Sequence, residues 1–367
     1  MGRTLERAFK RSVASILKLL FRSYPPKTLP VPRGILVIRQ HNQLGDMLCV
    51  VPLLRALRSR YPAARLDLMA SPVNQEVMLN SRYLDRVVLY DKRDFLRNGR
   101  IRPLALYRYI RSIRGVYDLV LVPGTVSTSF TSDFLAFLTG ARLRIGVGSL
   151  AGHPNSSSYF FNIAEDLDWH SPRHQTLRNL DVARSLGLDT PDCSHEMTLT
   201  AGEIEKGREI ALGIRGTKRL LIGFHPGAGK VPNRWPAESF AELIDRLSGH
   251  SGGAAFLTSG PMDEEVVTTT AKQLKGLVQI IGNQSIRTIA SIIKEADLFV
   301  SNDTGVMHIA AAVGTPVVAL FGPTDPLQWA PIGPMIRYIQ GEGGDIGKIS
   351  VDAVFKAATG LIRKVSA

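Results

Sequence analysis

Cysteine is almost missing from this 367-residue chain: Cys49 and Cys193 are the only two. Two thiols cannot build a disulfide framework or a four-thiolate zinc site, and they fit a reducing compartment, most simply the cytosol. No run of about 18 apolar residues escapes interruption by a charge, which excludes a conventional transmembrane helix. Aromatic residues make up 7% and no recognised nucleic-acid module is visible, so despite a net charge of +13 no nucleic acid is expected as partner. There is no short-period repeat and hence no solenoid. What is present, 44% hydrophobic and 21% charged residues, is globular in composition, and at roughly 150 residues per domain the length predicts two domains.

The positive charge is unevenly placed. Residues 1–30 carry seven Lys/Arg against one acid, residues 31–190 carry 21 against 13, and residues 191–367 carry 17 against 18. The N-terminal half should therefore face an anionic partner. Residues 3–22 read as a basic amphipathic helix, with Leu5, Phe9, Val13, Ile16, Leu17 and Leu20 on one side and arginines and lysines on the other. Two roles fit: lying in an anionic bilayer interface, or packing on the protein's own surface. Charges interrupt the apolar run and no small-residue cleavage site comes after it, so the segment does not read as a signal peptide. Pro25, Pro26, Pro30 and Pro32 form a short stiff linker, which sets residues 1–33 apart from the rest of the chain.

From Gly34 the pattern is alternating strand and helix, predicting an α/β fold of two Rossmann-like parallel-sheet domains, 34–190 and 191–367. Strands are expected at 35–39, 66–69, 87–89, 119–122 and 143–147, and then at 220–224, 254–258, 278–281, 298–301 and 317–321. Residues 150–175 read as a long loop. A helix is expected over 46–60, and others near 104–113, 131–139, 175–187, 236–248, 263–273, 286–294, 305–313 and 351–365. Two such sheets in tandem predict a ligand cleft at the carboxyl ends of their strands.

Four constellations fall at those ends. Gly45-Asp46 comes after the first strand, where Asp46 can be an N-cap or a carboxylate general base for an incoming hydroxyl. Gly223-Phe-His225-Pro-Gly227-Ala-Gly229-Lys230-Val-Pro-Asn233-Arg234-Trp235-Pro236 comes after the first strand of the second half. Its small residues permit close backbone approach, Lys230 and Arg234 offer cations to phosphate oxygens, and Pro236 suits a first helical position. No Ser or Thr succeeds Lys230, so it is not a Walker A loop. Ser301-Asn302-Asp303-Thr304-Gly305-Val-Met-His308 runs from a strand into a helix of small residues. The Thr304 and Gly305 amides form a diphosphate seat there, and Asp303 caps the helix or holds a sugar hydroxyl. No ligand spacing surrounds His308, so no metal and no other cofactor is expected. Finally, in Gly260-Pro-Met-Asp263-Glu264-Glu265 a carboxylate can reach ribose hydroxyls.

These pieces, in this order, resemble the bacterial family-9 glycosyltransferases, the ADP-heptose:lipopolysaccharide heptosyltransferases and their relatives. The resemblance runs from about residue 34 to 365 and rests on ILVIRQHNQLGDML, HPGAGKVPNRWPAESFAEL and SNDTGVMHIAAAVGTPVVALFGPTDP. It implies a GT-B fold, with the acceptor bound mainly by the N-terminal domain and the nucleotide-sugar by the C-terminal one, and metal-independent transfer with inversion. By the same resemblance Asp46 matches the proposed base, and Thr304, Gly305 and His308 match the diphosphate-binding turn. Glu264 sits near the ribose carboxylate, with Glu265 almost as good a match. Heptosyltransferases commonly carry a lysine two residues before the motif tryptophan; Asn233 stands there, so Lys230 or Arg234 must supply the cation. The expected partners are a nucleotide-sugar, ADP-heptose first, and an anionic glycolipid acceptor met by Arg93, Arg97 and Arg100. The expected location is the cytoplasm, peripheral to the inner membrane through residues 3–22. A GT-B epimerase, which would convert the donor without acceptor, and a non-catalytic nucleotide-sugar-binding protein are the alternatives.

Overall fold

The computed structural model describes residues 24, 31–41, 43–97, 100–124, 126–167 and 172–366. The expected helix at 3–22 lies outside these residues. The chain divides into two compact units, one from residues 1–42, 49–75 and 82–192, the other from 43–48, 76–81 and 193–367. Two short segments of the N-terminal half thus fold with the second unit.

The first unit is built on β1 (Gly34–Arg39), β2 (Arg65–Ala70) and β3 (Arg86–Leu89), then a small antiparallel ribbon of β4 (Leu96–Arg97) and β5 (Arg100–Ile101). β6 (Leu119–Val122), β7 (Leu143–Leu150), β8 (His153–Pro154) and β9 (Ile163–Leu167) complete it. The sheet order is β3-β2-β1-β6-β7-β8, with β9 also on β7, and every pairing except the β7–β8 hairpin is parallel. β1, GILVIR, is buried along its whole length, as a central parallel strand covered on both faces must be. β8 and β9 correct the expectation of a loop over 150–175. The helix expected over 46–60 is two helices, Leu44–Leu48 and Val51–Arg60. Pro52, which has no N–H to donate back, sits in the first turn of the second one, where it costs nothing. The helix expected over 175–187 ends at Asp181, and a short turn at Arg184–Leu186 closes on Gly187 in the left-handed region.

The second unit holds β10 (Leu221–His225), β11 (Ala254–Thr258), β12 (Gln279–Ile281), β13 (Leu298–Asn302), β14 (Val317–Phe321) and β15 (Ile336–Gln340). They pair in the order β12-β11-β10-β13-β14-β15, all parallel. This is the doubly wound order, and its direction reverses between β10 and β13. At that switch point β10 and β13 pair side by side, the place where sheets of this order leave a crevice at the carboxyl ends of their strands. Trp235, Phe240, Phe224 and Leu298 fill the core beneath it. β15 and the Ala201–Arg215 helix are additions to the expected elements. That helix starts with a capping box in which Thr200 and Glu203 satisfy each other's backbone donors.

Glu203 does a second job. Its carboxylate grips the buried Arg287, whose other donors reach the carbonyls of Thr198 (2.8 Å) and, in the 76–81 segment, Glu76 (2.7 Å) and Leu79 (3.3 Å). One guanidinium thereby fastens three separate stretches of chain. The Arg287 hydrogen bond holds the Glu203 carboxyl down at about 2, against an ordinary value of 4.5. A depressed carboxylate stabilises the fold above its unfolded-state value and loses that contribution as pH falls through the folded one. Glu203→Gln is therefore expected to lower the melting midpoint at pH 7. The difference from wild type should close as pH falls from about 4.5 towards 2; a pH-independent difference in melts across that range would refute this.

Candidate functional site

The site is assembled at the switch point of the second unit. β10 ends at His225, and Pro226–Lys230 turn back across the sheet edge before Trp235 and the Ala237–Ser251 helix. Asn302, the last residue of β13 and wholly buried, holds this loop. Its Nδ2 donates to the carbonyls of Pro226 (2.7 Å) and Gly227 (3.3 Å), and its Oδ1 accepts the Trp235 amide at 3.2 Å. Trp235 is an anchor: its indole N–H donates to the Ile349 carbonyl at 2.9 Å, and its ring stands edge-on to Phe240. Pro236, expected as the first helical residue, occupies the N-cap instead.

The two cations of the loop differ. Lys230 is exposed, whereas the Arg234 Nε donates to the Ala228 carbonyl at 2.8 Å and braces the loop. Asn233 is buried and donates from Nδ2 to Asp303 Oδ2 and to Thr324 Oγ1, each at 3.2 Å. It therefore ties the β10 loop to both segments that come after β13 and β14. Burial pushes the Asp303 carboxyl up, opposed by the Thr324 hydroxyl and by the charge of Lys230. Asp303 is not the helix cap; Thr304 takes that position, without a capping bond from its side chain. The Thr304 Oγ1 is buried and has no hydrogen-bond partner among the described residues. A hydroxyl left so costs free energy unless something arrives to accept from it. Here it stands where the first amides of the Gly305–Ala312 helix point outward.

The carboxylate facing the glycine loop is one that the sequence pattern did not single out. Glu264 and Glu265 are exposed in the first turn of the Glu264–Lys272 helix, while Asp263, one residue earlier, is buried. Asp263 Oδ2 accepts the Gly260 amide at 3.2 Å and lies 3.6 Å from His225 Nε2. The other ring nitrogen of His225 sits 2.9 Å from Thr258 Oγ1, and burial pushes this imidazole's pKa down, against the pull of Asp263. A Cβ on Gly227 would lie 2.2 Å from the Asp263 carboxyl carbon, so only glycine allows this contact.

Asp46 reaches the second unit on the Leu44–Leu48 helix, as its third residue and not as an N-cap. That helix crosses the start of the Gly305–Ala312 helix at glycine distance. A Cβ on Gly305 would come 3.1 Å from Leu44, and one on Gly45 would strike the His308 ring at 2.6 Å. Asp46, 7% exposed, is thus held next to the residue that packs on His308. His308 is itself buried, and the ring of His195 lies 5.3 Å from its own. The two histidines are 113 positions apart in sequence, beyond the reach of any spacing argument.

In the first unit a cavity of about 450 Å³ opens at the carboxyl ends of β1, β2 and β3, lined among others by Gln40, His41, Ser71, Tyr90 and Arg93. Arg93 is paired through two nitrogens with Asp91, at 2.7 Å for the shorter contact. Arg97 and Arg100 are backbone register partners in the β4–β5 ribbon, and Arg100 is exposed.

Gly227→Ala should force the loop and Asp263 apart. A loss of about 1–3 kcal/mol in stability is expected from such overpacking, read as a lower denaturation midpoint; an unchanged midpoint would show that the contact yields freely.

Comparison with known proteins gives the family. The model of glycosyltransferase family 9 (heptosyltransferase) matches residues 106–347. Lipooligosaccharide heptosyltransferase 2 of Haemophilus influenzae is 26% identical over 317 residues, covering 82% of this chain and 87% of that protein. The family 9 glycosyl transferase of Veillonella parvula superposes with a TM-score of 0.78 at 23% identity, covering 90% of this chain and 97% of that one. The ADP-heptose lps heptosyltransferase II of E. coli gives 0.74 at 24%, covering 91% and 100%. Both solved structures share the α/β architecture of two parallel sheets, the GT-B class of fold. The chain belongs to glycosyltransferase family 9, the heptosyltransferases, and is a glycosyltransferase.

Proposed function

We propose that the enzyme moves a heptose from ADP-heptose to a lipopolysaccharide core or similar anionic glycolipid, without a metal and with inversion at the anomeric carbon. The observation that supports this most is the seating of the Asp46 helix on the start of the Gly305–Ala312 helix, beside the buried, unsatisfied Thr304 hydroxyl. A carboxylate and a diphosphate seat are what an inverting transfer needs. The substrates are inferred from the relatives, one of which is an ADP-heptose lps heptosyltransferase.

In this reading the donor's diphosphate lies on the Thr304 and Gly305 amides, with Thr304 Oγ1 donating to a phosphate oxygen and His308 backing the turn. Lys230 or Arg234 offsets the charge that grows on the leaving diphosphate. Asp303 takes a sugar hydroxyl, and Glu264 or the buried Asp263 serves the ribose. Asp46 accepts the proton of the acceptor hydroxyl as its oxygen bonds to the anomeric carbon. The bond from that carbon to the diphosphate breaks on the opposite side and ADP departs. Arg93, Arg97 and Arg100 meet the acid groups of the acceptor, and residues 3–22 supply peripheral contact with the cytoplasmic face of the inner membrane.

Asp46→Asn tests the chemistry. It is expected to fold and bind nucleotide as wild type does, while transfer falls by about 10²–10⁴-fold, the usual weight of a positioned base. Wild-type turnover in this variant would remove Asp46 from the reaction.

A further inference from the structure

The most unusual surface of the first unit holds none of the residues assigned above to base or donor. From Leu96 to Arg114 the chain carries six arginines and no acid. Within it the Pro103–Ile113 helix, PLALYRYIRSI, is amphipathic twice over. Its inner side packs: Ile113 is buried, and the Tyr109 ring lies 5.6 Å from Phe95 and 5.8 Å from Tyr90. At 100° per residue, Leu104, Tyr107, Arg108 and Arg111 share the opposite side. There Leu104 is 60% and Tyr107 58% exposed, and Ile101, at the end of the adjoining ribbon, is 62% exposed. Arg111 Nη1 reaches the Tyr107 hydroxyl at 3.4 Å, so cation and ring form one group.

We propose that this outward face is an interfacial docking surface for an anionic lipid bilayer, separate from residues 3–22. Exposed aliphatic and tyrosine side chains interleaved with arginines, with no acid among them, match the boundary between acyl chains and charged headgroups. Leucine and tyrosine can enter the apolar layer while the guanidinium groups stay at headgroup level. A nucleic acid would use the arginines but leave Ile101 and Leu104 in water. The helix is fixed to the core by its inner side, so the face is presented without a folding step.

Partition of the full-length protein onto phosphatidylcholine vesicles, with and without phosphatidylglycerol, tests this. Binding to the anionic vesicles alone is expected, weakening as salt rises. Arg108→Ser with Arg111→Ser should reduce it by about 25-fold, at about five-fold for each arginine. Leu104→Ser with Tyr107→Ser should reduce it at least as strongly as the loss of one arginine, about five-fold, and leave the melting midpoint and transfer to a soluble, delipidated acceptor unchanged. Wild-type partition in either double variant, or no preference for anionic vesicles, would overturn the proposal. Because the vesicles hold neither donor nor acceptor, that result would leave the assigned chemistry standing.

Discussion

The amide of Asn302 is the contact on which the candidate site of the second unit depends. It closes β13 and satisfies two carbonyls and one N–H of the loop that leaves β10. Backbone groups buried in a turn must be paired somewhere, and here a single side chain pairs three of them. The loop is thereby pinned against the 303–305 turn at the point where the strand order reverses. Asn233 adds a second tie by joining the same loop to Asp303 and Thr324. With asparagine at 233, the exposed Lys230 and the braced Arg234 are the cations of the loop.

The same crevice explains two glycines. At Gly45 and Gly305 the absence of side chains lets the Leu44–Leu48 helix lie directly on the start of the Gly305–Ala312 helix. A short piece of the N-terminal half thus belongs, by packing, to the second unit, and Arg287 secures another, Glu76–Ser81, to it. Motifs about 260 residues apart become neighbours through close approach and one buried guanidinium, not through long loops.

Burial decided which elements were legible in the sequence. Central strands such as Leu119–Val122 and Val317–Phe321 are apolar throughout because both faces are covered, and they stand out. β9 and β15 escaped because they are outer strands, half exposed and mixed with Glu, Asp, Arg and Tyr. The Ala201–Arg215 helix had a readable start in Thr200 and Glu203, a capping box that periodicity alone overlooks. Asp46, Lys230, Asp303 and Thr304 were legible as candidates because glycine turns after strands mark a sheet's carboxyl edge, and His308 entered through the family resemblance. Asp263 and His195 were not: the first hid behind two more conspicuous glutamates, and the second meets His308 only in three dimensions.

Titration calorimetry of the wild-type enzyme and Thr304→Val with ADP, ADP-heptose, UDP and GDP, with and without EDTA, bears most directly on the donor assignment. The account predicts selective binding of ADP and ADP-heptose to wild type, indifferent to EDTA. It also predicts a loss of about ten-fold in Thr304→Val, the weight of one hydrogen bond to a charged group. Preference for UDP or GDP, no binding, or full affinity in Thr304→Val would contradict it.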